Sequence, residues 1–355
     1  MDIKHKIKEF KEEFDPVLDN FFNQAIKEVD KKDYLMTGAL QHIKKITMSG
    51  GKRLRPALMC YGYWGVGGKK HMEILRAAVS VELVHTFLLL HDDIIDRDSK
   101  RHGIMTTHLK YKKMHEKFFW KDDSEHFGMA MAIIVGDMVA ALGNQALYSS
   151  EFEAKTLIKA LYKLQEVVAD TVIGEAKDVL VSFKGKATEK EILDICKFKT
   201  AKYTIESPLQ LGAILGEAKN DIFEGMTKLS VPMGIAFQIQ DDILGIFGSE
   251  EKIGKPIGSD ISEGKQTILV LEAKKNSNEK QKRFLNSVLG KSDLTAQEVD
   301  KFRDIVIETG ALDYAKNLAK KYIAESKKEI AKISLEKKAK DFLMGIADYM
   351  MEREV

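Results

Sequence analysis

The sequence predicts an all-α chain folded as a single domain. Three observations carry that prediction. Only five prolines interrupt the 355 residues. Apolar side chains recur with the period of amphipathic helices, and the alternation that marks strands is nearly absent. No internal repeat, low-complexity tract or Ser/Gly-rich linker divides residues 1–355, so one domain is expected throughout. At 44% hydrophobic and 31% charged, the chain has ample material for a sizeable core.

Apolar periodicity places helices at about residues 3–30 and 34–48. The next, 56–64, opens on Pro56, whose missing N–H costs nothing in a first turn. A long apolar run follows as 71–98, then 127–148 and 151–181. Thr188-x-x-Glu191 is a capping box that opens 189–206 after the turn Lys184-Gly185-Lys186. Helices over 208–216, 219–247, 262–274 and 296–308 come next. The chain closes with 311–333 and 335–352. There Leu318, Tyr322, Ile330 and Ile333 read as packing positions beneath a solvated, lysine-rich face. Segments 116–126, 249–259 and 276–295 are expected as surface loops.

Composition excludes several function classes. The net charge of 56 − 54 = +2 makes no electrostatic case for nucleic acid. The two cysteines, Cys60 and Cys196, lack metal-ligand spacing, and a reducing cytoplasm is the default. The N-terminus MDIKHKIKEFKEEF is charged and amphipathic, unlike a secretory signal. The uninterrupted apolar stretches Val84–Leu90 and Met129–Val135 are far too short to span a bilayer, so no membrane span is expected.

Acidic residues in apolar company are the strongest functional signal. Asp92, Asp93 and Asp96 close the apolar run from Val79, and Asp241-Asp242 sit in another such run. Carboxylates rarely lie there unless something pairs them. On a helix, His85, Asp92 and Asp96 share one stripe, and Gln238, Asp241 and Asp242 share another. Carboxylates that close repel, and one drifts toward the neutral acid unless a cation shares them. Oxygen-only ligands on a rigid helix suit Mg²⁺, which also tends to hold phosphate oxygens. Facing helices of a bundle build metal sites in this way.

Basic clusters complement the acids. Gly50-Gly51-Lys52-Arg53-Leu54-Arg55-Pro56 is a glycine-hinged cationic loop. Lys100-Arg101-His102-Gly103 is a second, Lys199-Thr200 lies in a predicted helix, and Lys255 and Lys265 sit in a glycine-rich loop. There is no P-loop, no nucleophile elbow and no Cys–His arrangement. The combination points to Mg²⁺-assisted departure of a diphosphate, with the metal as Lewis acid and template.

These motifs, in this order from about Gly50 to Thr267, resemble those of the trans-type isoprenyl diphosphate synthases, the polyprenyl synthetases. Gly50–Pro56 matches GGKRLRP, Asp92–Asp96 matches DDxxD, and Arg101-His102-Gly103 stands where RRG is usual. Thr106 and His108 fit PTxH with Met105 in place of Pro, Lys199-Thr200-Ala201 fits the KT motif, and Phe237–Asp242 fits FQxxDD. Gly254 to Asp260, continued by Gly264-Lys265, fits GKPxGxD…GK. The resemblance implies an all-α single-domain bundle of the isoprenoid synthase type around a deep central cavity.

The family's roles carry over residue by residue. Asp92 and Asp96 would bind two Mg²⁺ on the allylic diphosphate with Asp93 in support. Asp241 would take a third, with Asp242 or Asp260 acting through water. Arg101, Lys199 and Lys265 would hold the allylic diphosphate with Lys255 close by, and Lys52, Arg55 and His85 would hold isopentenyl diphosphate. Thr200 and Gln238 would sit beside the developing allylic cation. The implied reaction is ionisation, attack by the double bond of isopentenyl diphosphate, then proton loss to the released diphosphate, in a pocket that excludes water. A cytoplasmic homodimer is also implied.

Departures from the family pattern are informative. His102 replaces an arginine that contacts isopentenyl diphosphate, and imidazole cannot make a bidentate fork. Gly245 and Ser249 stand where relatives often carry Asp, and Glu175 stands where Gln is common. Phe87, with Leu88 beside it, is the expected floor of the product pocket, and the pattern resembles archaeal and actinobacterial geranylgeranyl diphosphate synthases. A C20 product is expected, with C15 second. A class I terpene cyclase would need Ser and Glu at 245 and 249, and a non-catalytic subunit would be expected to lose its acidic motifs.

Overall fold

A computed structural model of the chain describes residues 2–119, 123–248 and 258–352. The chain resolves into two compact units, Asp2–Leu164 with Leu211–Glu217, and Gln165–Gln210 with Ala218–Val355. Both are helical. Among the described residues the only sheet is a two-stranded ribbon.

The first unit is built around α4 (His71–Ile95), which packs against α1 (Ile3–Asp30), α3 (Leu54–Gly65), α5 (Thr107–Phe118) and α6 (Ser124–Tyr148). α2 (Tyr34–Met48) lies against α1. Side-chain caps start the first two helices: Asp2 accepts from the backbone N–H groups of Lys4 and His5, and Asp33 from that of Met36. α4 buries side chains on nearly every face, from Ile74 through Leu90 to Asp93. Its end is a Schellman turn. Arg97 adopts φ 58°, and the N–H of Asp98 reaches back to the carbonyl of Asp93 at 2.9 Å. Helix 71–98 therefore stops at Ile95, with Asp96 as its cap.

Arg53 ties this unit together. Its φ of 55° puts it in the left-handed region, outside the helix expected to open at Pro56, and α3 starts directly after it at Leu54. The side chain is buried. Its Nε donates to Asp15 on α1 at 2.7 Å, Nη1 to Glu82 on α4 at 2.5 Å, and Nη2 to the Thr47 carbonyl on α2 at 2.8 Å. Burying a guanidinium is costly unless its donors are matched, and here one side chain clamps three helices.

The second unit contains the remainder of α7 (Ala154–Lys184), α8 (Glu189–Ile195), a π-helical stretch Cys196–Glu206, and α9 (Ser207–Leu215) up to Gln210. α10 (Asn220–Phe247) is its hub. It packs against the π-helical stretch, α11 (Ser259–Ser262), α12 (Ile268–Asn276), α15 (Ala311–Lys332) and α16 (Lys337–Met351), with α13 (Glu279–Val288) and α14 (Ala296–Glu308) alongside. The capping box Thr188/Glu191 forms as expected. Two glycines admit the π-helical backbone. A Cβ on Gly174 of α7 would lie 2.4 Å from the Lys199 nitrogen, and one on Gly234 of α10 would lie 2.3 Å from the Ala201 Cα.

Several elements depart from expectation. β1 (Lys100–Arg101) and β2 (Ile104–Met105) form a hairpin across His102-Gly103, which both take positive φ as a type I′ turn demands. α5 was not expected, because its buried stripe is Thr107, Tyr111 and His115, which is mixed in polarity. α13 lies in the supposed loop 276–295, opened by a capping box of Asn278 and Gln281. Helix 262–274 is instead two helices, α11 and α12, separated by Gly264 at φ 73°. The apolar runs were read as too short to cross a bilayer, yet α4 and α6 are each 25 residues long with hydropathies of 1.5 and 1.6. Packing buries 67% of the apolar window of α4, as in a core helix, and 33% of that of α6.

Replacing Arg53 by Met strands Glu82 and Asp15 without their shared cation. We expect a loss of about 3 kcal/mol in unfolding free energy, read as a lower midpoint in urea denaturation. An unchanged midpoint would remove the clamp from this account.

Candidate active site

The last turn of α4 presents Asp92 and Asp96 on one side, and the Asp96 N–H donates to the Asp92 carbonyl at 2.8 Å, so the helical path continues through both. Both side chains are half-buried. Asp93 points inward and is almost completely enclosed. Arg101 from the hairpin donates to Asp93 through Nε at 2.9 Å and again through Nη2, and reaches Asp98 at 3.1 Å and Asp92 at 4.0 Å. Burial raises the Asp93 pKa to about 6 even against the pull of Arg101, and Asp98 and Asp92 push the same way. Arg101 is itself held protonated by these acids, which outweigh its burial.

A cationic surround lies in the same unit. Burial drives the His85 pKa well down, and Arg55, Arg101, His102 and Arg53 all add to that shift. Cations that repel a proton from His85 will attract an anion beside it. His85 is neutral at pH 7 and offers one donor and one acceptor. Lys52 is exposed and Arg55 half-buried on either side of the clamped Arg53. His102 lies against the same loop, because a Cβ on Gly50 would sit 2.4 Å from its imidazole. Loss of solvent and the charges on Arg101 and Arg53 lower the His102 pKa, so it adds no charge at pH 7. Phe87, with half-buried Leu88 next to it, lies on α4 just upstream of the acids.

The second unit gathers its own set. On α10, Gln238 donates to Asp242 at 2.8 Å and accepts from the Thr200 hydroxyl on the π-helical stretch. Asp242 is buried and its pKa rises to about 8, chiefly through burial and then through Asp260 and Asp241. Asp260 lies over Gly245, where an added Cβ would fall 2.0 Å from its carboxylate. The glycine that stands in place of a third acid therefore leaves room for a carboxylate from α11. Lys265 faces Glu263 at 2.6 Å and Asp260 at 3.6 Å. Lys199 is held by Glu175 at 2.7 Å and Asp178 at 2.8 Å, both on α7. Lys255 and Ser249 lie outside the described residues.

The donor set fits a hard dication. Every candidate ligand is a carboxylate oxygen, and the pKa values of Asp93 and Asp242 are raised first by burial and then by neighbouring acids, both of which a dication would offset. Among the described residues no three such groups already converge in ligand geometry, so binding would draw Asp92 with Asp96, and Asp241 with Asp242 or Asp260, from their present rotamers. Asp98 and Asp178 stand outside every motif of the sequence, and Arg53 is there only one member of the cationic loop Gly50–Pro56. A Gly-Glu-x-x-Asp spacing over 174–178 was the available signal for the Lys199 partners.

The profile of the family described as Polyprenyl synthetase matches residues 37–306. The chain is 35% identical over 306 residues to a geranylgeranyl diphosphate synthase of Methanosarcina mazei, covering 86% of this chain and 87% of the relative. It is 30% identical over 323 residues to a geranylfarnesyl diphosphate synthase of Aeropyrum pernix, covering 90% and 94%. A crystal structure of a geranylgeranyl pyrophosphate synthase from Corynebacterium glutamicum, complexed with isoprenyl diphosphate and magnesium, superposes with a TM-score of 0.92 at 26% identity, covering 97% and 99%.

The Asp242 titration has a definite sign. Its pKa is about 8 in the folded chain against 3.8 for the ordinary side chain, so the folded state holds the proton more tightly. Stability credited to this group is complete below pH 4 and falls as pH rises to about 8, by up to about 1.4 kcal/mol per unit. We expect Asp242→Asn to flatten the metal-free decline in melting temperature between pH 5 and about 8 relative to the parent. Parallel curves for parent and variant would contradict the assignment.

Proposed function

The chain belongs to the polyprenyl synthetase family, and on that premise we propose that it condenses isopentenyl diphosphate with allylic diphosphates to build geranylgeranyl diphosphate. The observation that carries this reading is Asp242, a carboxyl buried beside Asp241 and Asp260 at a cost that a dication would offset. Motifs fall in both units, so residues 1–355 are read as one catalytic domain.

Each residue then has a task. Asp92 and Asp96 would hold magnesium on the allylic diphosphate with Asp93 fixed behind them by Arg101, and Asp241 would take a third ion with Asp242 or Asp260 acting through water. Magnesium supplies the Lewis acidity that draws electrons toward the departing diphosphate. Arg101, Lys199 and Lys265 carry charge to its oxygens, and Lys255 belongs to the same set. Lys199 must exchange the carboxylates of Glu175 and Asp178 for phosphate oxygens as substrate binds. Lys52 and Arg55 bind isopentenyl diphosphate, with neutral His85 donating a hydrogen bond. Thr200 and Gln238, already paired, turn oxygen dipoles toward the allylic carbon without offering a nucleophile. The departing diphosphate takes the final proton. The growing chain runs beside the helix that precedes Asp92 until Phe87 and Leu88 stop it at C20, with farnesyl diphosphate as the secondary product.

A cytoplasmic homodimer without a membrane span goes with this reading. One face of α7 carries exposed Ile158, Tyr162, Ile173, Leu180 and Phe183, and Phe183 is 90% exposed in the single chain. Apolar stripes of that length are ordinarily covered by a partner.

Incubating the purified chain with isopentenyl and dimethylallyl diphosphates and Mg²⁺, then sizing the products by chromatography, tests the whole reading. Prenyl diphosphates up to C20 are expected. Hydrocarbons would instead identify a cyclase, and absence of turnover a non-catalytic subunit. His102→Arg adds a charge beside the Gly50 loop and should lower KM for isopentenyl diphosphate about tenfold, with KM for the allylic substrate little changed. An unchanged KM for isopentenyl diphosphate would take position 102 out of that site.

A further inference from the structure

We propose that His91 sets product length by propping the ring of Phe87. Phe87 and His91 stand one turn apart on α4, with ring centroids 4.9 Å apart and planes at 75°, an edge-to-face pair. His91 is in turn held by α6. Its Nε2 lies 3.3 Å from the Ile133 carbonyl oxygen and 3.9 Å from an Asp137 carboxylate oxygen. The imidazole fills a notch that exists because position 136 is glycine, where an added Cβ would come within 2.5 Å of Nε2. Three elements therefore fix one ring: a carbonyl at its tip, a missing side chain beneath it, and Phe87 across its edge.

The physical consequence concerns rotamer freedom. Phe87 is half-buried, and a phenyl ring on a helix can swing between its allowed χ1 wells when its neighbours permit. With His91 seated in the Gly136 notch, the swing toward α6 is closed. A lengthening apolar chain that meets Phe87 then finds a fixed wall instead of a gate. Discrimination by one wall of this kind is worth about tenfold to a few hundredfold between neighbouring product lengths. His91 is thus a positioning residue. It acts through Phe87 and not on the reacting carbons, although it directly precedes Asp92 in the chain.

This inference rests on the reading of Phe87 as the pocket floor, and the test separates the two. The full chain and its variants are incubated with isopentenyl and farnesyl diphosphates and Mg²⁺, and the ratio of C25 to C20 product is measured, with melting temperature as the check on folding. His91→Ala should raise that ratio about tenfold. His91→Gln keeps a donor for the Ile133 carbonyl but has no ring, and should raise it as much. Gly136→Ala fills the notch from the other side, away from the acids, and should shift the ratio severalfold. It decides the matter if the His91 variants fail to fold. Parental ratios in His91→Ala or Gly136→Ala, with Phe87→Ala still giving longer products, overturn the role of His91 and leave Phe87 as the floor. A parental ratio in His91→Gln overturns it too, since a hydrogen bond without a ring would then suffice. A parental ratio in Phe87→Ala overturns both.

Discussion

Acids placed where acids are expensive are the constraint around which this protein is organised. In each unit the hub helix carries them: α4 with Asp93, and α10 with Asp242. A carboxylate removed from water loses several kcal/mol of hydration unless charge or hydrogen bonds replace it. Arg101 supplies that replacement for Asp93, and Gln238 supplies part of it for Asp242. Neither acid is fully compensated, since both hold their protons well above the ordinary carboxylate range. The remaining deficit is one that a bound cation would reduce. Stability is given up at the site where function needs it, as is general for active sites.

The cations are organised by a different rule. Arg53 is buried and engaged through all three of its nitrogens, so it serves the fold, while its neighbours Lys52 and Arg55 lie nearer the surface, where the proposed function gives them an anion. One loop thus divides its charges between structure and binding. The same division appears at Lys199, which two carboxylates of α7 hold in place. In the proposed function, diphosphate would compete with Glu175 and Asp178 for that ammonium. Pre-pairing of this kind fixes a lysine in place, and it would weaken the net attraction for an incoming anion.

Much of this was legible in the sequence because it follows from helical periodicity. The stripes containing Asp92 with Asp96, and Gln238 with Asp241 and Asp242, depend only on spacing, and the helices that carry them have strong apolar patterns. Thr188 and Glu191 announced their cap for the same local reason. What escaped was set by contacts distant in sequence or by backbone signs that side-chain type conceals. His102 in the left-handed region, which turns the hairpin, looks like an ordinary basic residue when read in line. That Asp260 fills the space over Gly245, or that Arg53 reaches Asp15 and Glu82, needs three dimensions. The capping box of α13 was available to inspection. Its weak apolar content hid it within a charged stretch.

The wide winding from Cys196 to Glu206 has a consequence for how this protein can change. Each residue of an α-helix advances the azimuth by about 100°. Change the number of residues in this stretch and Lys199 and Thr200 can no longer both face where they face now, and the backbone loses its seat between Gly174 and Gly234. Point replacements there leave the chain path intact, whereas a change of length does not. Descendants of this sequence can therefore vary half-buried positions such as Lys197, Phe198 and Lys202 while the residue count of the segment stays locked.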